Sequence, residues 1–152
     1  MKTNSKGFTL IELLAVIVIL AVIALIATPL IMGVIDDARK GSAKNSAYGY
    51  VKALENTIAT EMIKDTTISP NATQTVPSSV KFDQRANNGT VTANASTKPI
   101  NYKGSQPTSH TLNIVDGTVG CGSTITISGY SFKMDQNKEW VDSTTEVTCP
   151  GA

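Results

Sequence analysis

The pattern of apolar and polar positions divides the chain into three parts. Residues 13 to 35 read LLAVIVILAVIALIATPLIMGVI, with no charge among them. About 20 such residues suffice for a helix to cross a bilayer, so the run predicts a membrane helix. After it, Ala47, Val51, Leu54, Ile58 and Met62 recur at helical spacing and make one stripe. Lys52, Asn56, Thr60 and Lys64 face away, Glu61 sits on the stripe's edge and Ile63 lies off it. Gly41 and Gly49 each cost a helix about 1 kcal/mol, so packing against another layer has to support this half. A helix from residue 8 to about 64 would be roughly 85 Å long at 1.5 Å per residue. Its first half (8–35) meets lipid or sister helices, and its second half (36–64) carries a head.

The rest is polar and punctuated. Residues 65–109 contain Pro70, Pro77, Pro99 and Pro107 among many Thr, Ser and Asn. This composition predicts a long connecting loop with one or two short strands, such as Val80-Lys81-Phe82. From residue 110 to 152 the pattern becomes β-rich: Thr111–Val115, Ser123–Ser128, Tyr130–Met134 and Glu139–Val141. Asp116-Gly117, Gly129 and Gln136-Asn137-Lys138 separate them, and such short turns imply antiparallel pairing. Ile125, Ile127, Tyr130, Phe132, Met134 and Trp140 are the side chains expected against the helical stripe.

Composition sharpens the picture. A length of 152 residues allows one domain, and a net charge of +1 gives no basic field that would point to nucleic acid. Lys2 and Lys6 precede the apolar run, and Asp36 and Asp37 follow it, which orients the N-terminus toward the cytoplasm. Arg39, Lys40 and Lys44 weaken that asymmetry. A cleaved secretory signal is the first alternative. The basic start fits it, but no A-x-A site closes the run, and Glu12 interrupts its beginning. A carboxylate at membrane depth costs roughly 2.5–3.5 kcal/mol, so Glu12 calls for a partner. Its simplest reading is a headgroup-level position near the positive end of the helix, which explains tolerance of Glu12 but not its use. Pro29 removes the bond to the carbonyl of Leu25 and crowds it. It also disfavours helical angles at Thr28, and Gly33 adds freedom four residues on. Residues 25 to 33 are thus the weakest part of the helix. Ala24 and Thr28 form a small-xxx-small step, with Ala21 and Ala27 also small.

Lys6-Gly7-Phe8-Thr9-Leu10-Ile11-Glu12-Leu13 resembles the processing site of type IV pilins and related pseudopilins. In that family a membrane peptidase cuts after the glycine, here Gly7, and methylates the new N-terminal residue, here Phe8. A glutamate stands fifth in the mature chain, here Glu12, and a proline twenty-second, here Pro29. The resemblance covers roughly residues 1 to 60. It implies a leader of residues 1–7 and an α+β, pilin-like fold, with the long helix packed on a small antiparallel sheet head. Cutting after Gly7 would expose an α-amine with an ordinary pKa of about 7.7–8.0. The resemblance implies that Glu12 of one subunit meets the Phe8 amine of its neighbour. Positions 8 and 12 are also one helical turn apart, so the same chain could supply the pair. The weak stretch 25–33 is expected to unwind when subunits pack.

Cys121 and Cys149 are the chain's two cysteines. In a region that leaves the cytoplasm such a pair is most simply a disulfide, free thiols or a metal pair short of ligands being the alternatives. In some members of the resembled family a disulfide pins the C-terminus to the sheet. Asp135-x-Asn137-x-Glu139, with Asp142 beyond, has calcium-loop spacing. It lacks the sixth-position glycine, where Trp140 stands, and a solvated hairpin turn is the preferred reading. Asn71-Ala72-Thr73, Asn88-Gly89-Thr90 and Asn94-Ala95-Ser96 match glycosylation triplets, which chance explains in so polar a stretch. No nucleotide loop, G-x-S-x-G or histidine-rich motif occurs, and the single histidine, His110, gives no catalytic pairing any support.

The leading expectation is a structural subunit, the major pilin of a type IV pilus. It would be stored as a single-pass protein in the cytoplasmic membrane and then extracted into a surface filament. Its partners would be membrane lipid, the prepilin peptidase, other pilin subunits, and an inner-membrane platform with a cytoplasmic assembly ATPase; no cofactor and no nucleic acid are called for. The alternatives are a pseudopilin of a secretion or DNA-uptake machine, an uncleaved bitopic surface binding protein and, last, an enzyme.

Overall fold

The structure is a computed structural model that describes residues 7–85 and 91–150, including side chains except those of 93–95. Apart from Gly7, the expected leader 1–7 with Lys2 and Lys6 lies outside the described residues. So do the Asn88-Gly89-Thr90 triplet, the side chain of Asn94 and residues 151–152. The chain divides into two compact units, Met1–Arg39 and Lys40–Ala152. Helix α1 (Leu10–Lys64) contributes to both.

In the first unit the helix buries almost nothing. Leu10, Leu14, Ile17, Val18, Leu25 and Ile31 are all exposed, as are their apolar neighbours. This part is long and apolar enough to cross a membrane. In the second unit the same helix is amphipathic. Ala43, Ala47, Tyr50, Val51, Leu54 and Ile58 are buried, while Met62, expected on the stripe, is exposed. Gly41 faces open space, but Gly49 has a use: a Cβ there would lie 3.4 Å from the ring of Tyr102. Tyr102 therefore lies across the helix and donates its hydroxyl to the Ser46 carbonyl at 3.1 Å.

The head holds nine strands among the described residues, in two antiparallel sheets. Strands β1 (Ile68–Pro70), β3 (Ser79–Arg85) and β4 (Val91–Pro99) form a three-stranded sheet in the order β1-β3-β4. Strands β2 (Thr73–Gln74), β5 (Pro107–Val115), β7 (Thr124–Ile127), β8 (Tyr130–Met134) and β9 (Trp140–Asp142) are neighbours in that order. Strand β6 (Thr118–Val119) pairs with β5 and completes a six-stranded sheet. The layout is α+β, with the helix packed against antiparallel sheets.

The stretch 65–109 differs from the connecting loop expected of it. Four strands lie within it and a fifth begins there. Val80 and Phe82 are buried and their neighbours Lys81 and Asp83 partly exposed, a period-two pattern too short to stand out among polar residues. Of the prolines read as loop punctuation, Pro77 stands in the turn before β3, but the other three sit at strand ends instead. Pro70 closes β1, Pro99 closes β4 and Pro107 opens β5, where a missing N–H costs the ladder least.

The later strands are close to expectation. Asp116-Gly117 joins β5 to β6 with both φ positive, at 50° and 76°, and Ser128-Gly129 joins β7 to β8 with 53° and 86°. Both are the primed two-residue turns whose twist suits a hairpin. Ile125, Ile127, Phe132, Met134 and Trp140 enter the core with Leu54, Ile58 and Leu112, and Tyr130 packs half-buried against it. Each fully buried large apolar side chain contributes on the order of 1.5–3 kcal/mol.

Gln74 ties the two sheets together. Fully buried on β2, it donates Nε2 to the carbonyls of Asn71 and Lys81, each at 2.9 Å, and accepts the Lys81 N–H at 2.8 Å. The helix also covers the outer edge of β9. The Trp140 N–H donates to the Tyr48 hydroxyl at 3.0 Å, and Lys40 pairs with Asp142. That pairing holds the Asp142 carboxyl below its ordinary pKa.

Candidate functional site

The site that the N-terminal pattern points to is the entry into α1. Gly7, Phe8 and Thr9 are non-helical and Leu10 is the first helical residue. The first helical N–H groups have no partner in the turn before them. Here Thr9 and Glu12 supply partners reciprocally. The Glu12 Oε2 accepts the Thr9 N–H at 2.8 Å and the Thr9 hydroxyl at 2.7 Å, while Thr9 Oγ1 accepts the Glu12 N–H at 3.4 Å. This is a capping box, the T-x-x-E pattern at a helix start. The Leu13 N–H closes the first turn on the Thr9 carbonyl at 3.3 Å.

The capping box answers part of the question Glu12 raises. In the uncut chain its carboxylate already has donors, both on Thr9. Phe8 is exposed, and Gly7 has open space where a side chain would stand. The Gly7–Phe8 bond thus lies in non-helical backbone just before the cap. The T-x-x-E signal is present in the sequence at Thr9 and Glu12, within the same stretch as the processing-site spacing.

Pro29 lies inside α1, which continues through it. One residue earlier, Thr28 donates its hydroxyl to the Ala24 carbonyl at 2.7 Å, a back-bond that often accompanies a bend. Gly33 meets nothing within 4 Å. The expected unwinding of 25–33 concerns packed subunits, and the isolated chain keeps these residues helical.

The two cysteines are joined. The Cys121–Cys149 disulfide, with Cα atoms 5.7 Å apart, links the loop after β6 to the segment after β9. The other candidates resolve into backbone geometry. Asp135 Oδ1 accepts the N–H groups of Asn137 and Glu139, each at 2.8 Å, and the Asp135 N–H meets the Glu139 carbonyl at 2.9 Å. The calcium-like spacing of Asp135, Asn137 and Glu139 thus builds the β8–β9 turn. Among the described residues no three His, Cys, Asp or Glu side chains gather as metal ligands. Asn71 donates Nδ2 to Asp83 at 3.2 Å and accepts the Thr73 N–H at the same distance, so its amide is engaged within the fold.

An α+β head on an amphipathic helix, continuous with an exposed apolar helix, is consistent with a pilin-like fold, and the N-terminal segment fits membrane anchoring. Residues 2–28 match the family described as the prokaryotic N-terminal methylation motif. The chain therefore carries the prepilin leader motif, and the match supports a protein of type IV pilin or pseudopilin type. The motif implies processing by a prepilin peptidase and polymerisation with other pilin subunits. No curated protein and no solved structure matches the chain.

Proposed function

We propose that the protein is the major structural subunit of a type IV pilus. The peptidase cuts between Gly7 and Phe8 and methylates the Phe8 amine. The processed chain waits in the cytoplasmic membrane with its head outside. An inner-membrane platform, driven by a cytoplasmic ATPase, then lifts it into a surface filament.

One observation carries this reading: the methylation motif leads directly into an apolar helix that its own chain leaves bare. The large apolar side chains from Leu10 to Ile35 are exposed, and the core cluster of the described residues begins at Ala43. Lipid can cover them first and sister helices later. The role of Glu12 is then a transfer between partners. Thr9 holds its carboxylate before the cut, and the new amine of a neighbouring subunit receives it during assembly. Residues 25–33, already short of one backbone bond at Pro29, are the stretch that loosens as helices pack.

Shearing cells and identifying the filament protein tests the assignment. Abundant chain in sheared filaments supports a major pilin. A processed chain that stays with the cells makes it a pseudopilin, and an unprocessed chain makes it a membrane-anchored surface protein.

A further inference from the structure

His110 is the chain's single histidine, and no step of assembly uses it. It lies on β5 with only 5% of its surface exposed. Among the described residues neither ring nitrogen has a hydrogen-bond partner. Its ring packs on Tyr50 of α1, with centroids 5.5 Å apart and planes at 45°. Tyr50 in turn meets the Tyr102 ring edge-on at 5.6 Å, and its hydroxyl accepts the Ser78 N–H at 3.3 Å. Across the sheet His110 pairs with Ile125 of β7. This cluster joins the helix to the middle of the six-stranded sheet.

We infer that His110 is an acid-sensitive latch on this seam: as a neutral ring it packs as an apolar group, and protonation opens the head. An imidazolium has two N–H donors, and the site offers neither an acceptor. A buried charge without a partner is expensive. The titratable group against the ring is Tyr50, whose own ionisation is pushed up to about 12 by burial, so it brings no negative charge. Attraction between a cation and the Tyr50 ring is weaker than the loss of water around a buried imidazolium. Burial lowers the His110 pKa to about 4, and among the described residues no carboxylate or cation shifts it.

The direction follows from linkage. The unfolded imidazole takes up its proton near pH 6.5, and the folded one only near 4. Stability from the neutral ring is complete above 6.5 and is lost as pH falls toward 4. Between pH 7 and pH 5 the unfolding constant of the head rises about 20-fold. Glu61, Asp65 and Asp142 are held below their ordinary values, by bonds from Lys64, Thr67 and Lys40 respectively. They lose their contribution at lower pH, which leaves the window from 7 to 5 mainly to His110.

Two measurements on the full chain in detergent micelles test the latch. With 15N-labelled histidine, the single imidazole should remain neutral at pH 5, and a midpoint near 6.5 would overturn the inference. Urea unfolding followed by Trp140 fluorescence should show the 20-fold rise between pH 7 and 5, shrinking to less than about 3-fold in His110→Phe. His110→Gln serves if that variant does not fold. A variant that keeps the full pH dependence overturns the inference as well.

Discussion

Removing the Cys121–Cys149 bond is expected to cost the head about 3.6 kcal/mol. The two residues are 28 apart in sequence, so the bond closes a loop of about 29 residues. In the chain-entropy treatment such a loop removes about 12 cal/mol/K from the unfolded ensemble. The native state should change little in a Cys121→Ser, Cys149→Ser variant. The Ser143 N–H still donates to the Ser131 carbonyl at 3.1 Å, and the Thr145 N–H to Asp142 at 2.9 Å. Strand β9 keeps its ladder to β8 and its contacts with Tyr48 and Lys40. The cost therefore belongs to the freed unfolded chain. Residues 40–152 form one compact unit and contain the chain's single tryptophan, so urea unfolding of that fragment can be followed by fluorescence. With a slope of about 1.5 kcal/mol/M, the midpoint should fall by about 2.4 M while the slope stays constant. A shift below about 0.5 M would refute the loop-closure reasoning. A clear change in slope would show that the folded or unfolded state had been reorganised instead.

Other substitutions probe separate parts of the fold and site. Glu12→Ala should leave cleavage after Gly7 intact and abolish efficient assembly, read by immunoblot of cells against sheared filaments; normal filaments would discard the docking role. Gln74→Leu should destabilise the head by about 2–4 kcal/mol, because the Lys81 N–H and two carbonyls lose their buried partner; thermal unfolding within about 1 °C of wild type would contradict the clasp between sheets. Gly41→Ala should stabilise the helix by up to about 1 kcal/mol, since a Cβ there meets open space; a lower urea midpoint would mean that glycine is needed for its backbone freedom.

Sequence made the fold legible where its signals are local. The apolar run and the stripe of Ala47, Val51, Leu54 and Ile58 are periodic over many turns. The hairpins at Asp116-Gly117 and Gly129 announce themselves by glycines that accept positive φ, whereas the positive φ of Ser128, read as the end of its strand, does not. Tyr50 fits the same helical spacing, but a tyrosine is not plainly apolar, so an apolar stripe read from sequence omits it. Strands β1 to β4 were less visible for a physical reason. Polar residues interrupt their short apolar alternation, and they are strands because partners and Gln74 hold them there. No local pattern records such pairing. At the N-terminus the spacing of Gly7, Phe8, Glu12 and Pro29 is plain, and the T-x-x-E pattern of Thr9 and Glu12 is a local signal too, although only the fold shows the bonds it forms. The two cysteines had one possible pairing, but which loops they join emerged only with the fold.

Mass spectrometry of the mature N-terminus tests the central claim most directly. A chain that begins at Phe8 with one added methyl on its amine is the expected result. An intact Met1, or a cut near Ala27 of the kind a secretory signal would give, would contradict it.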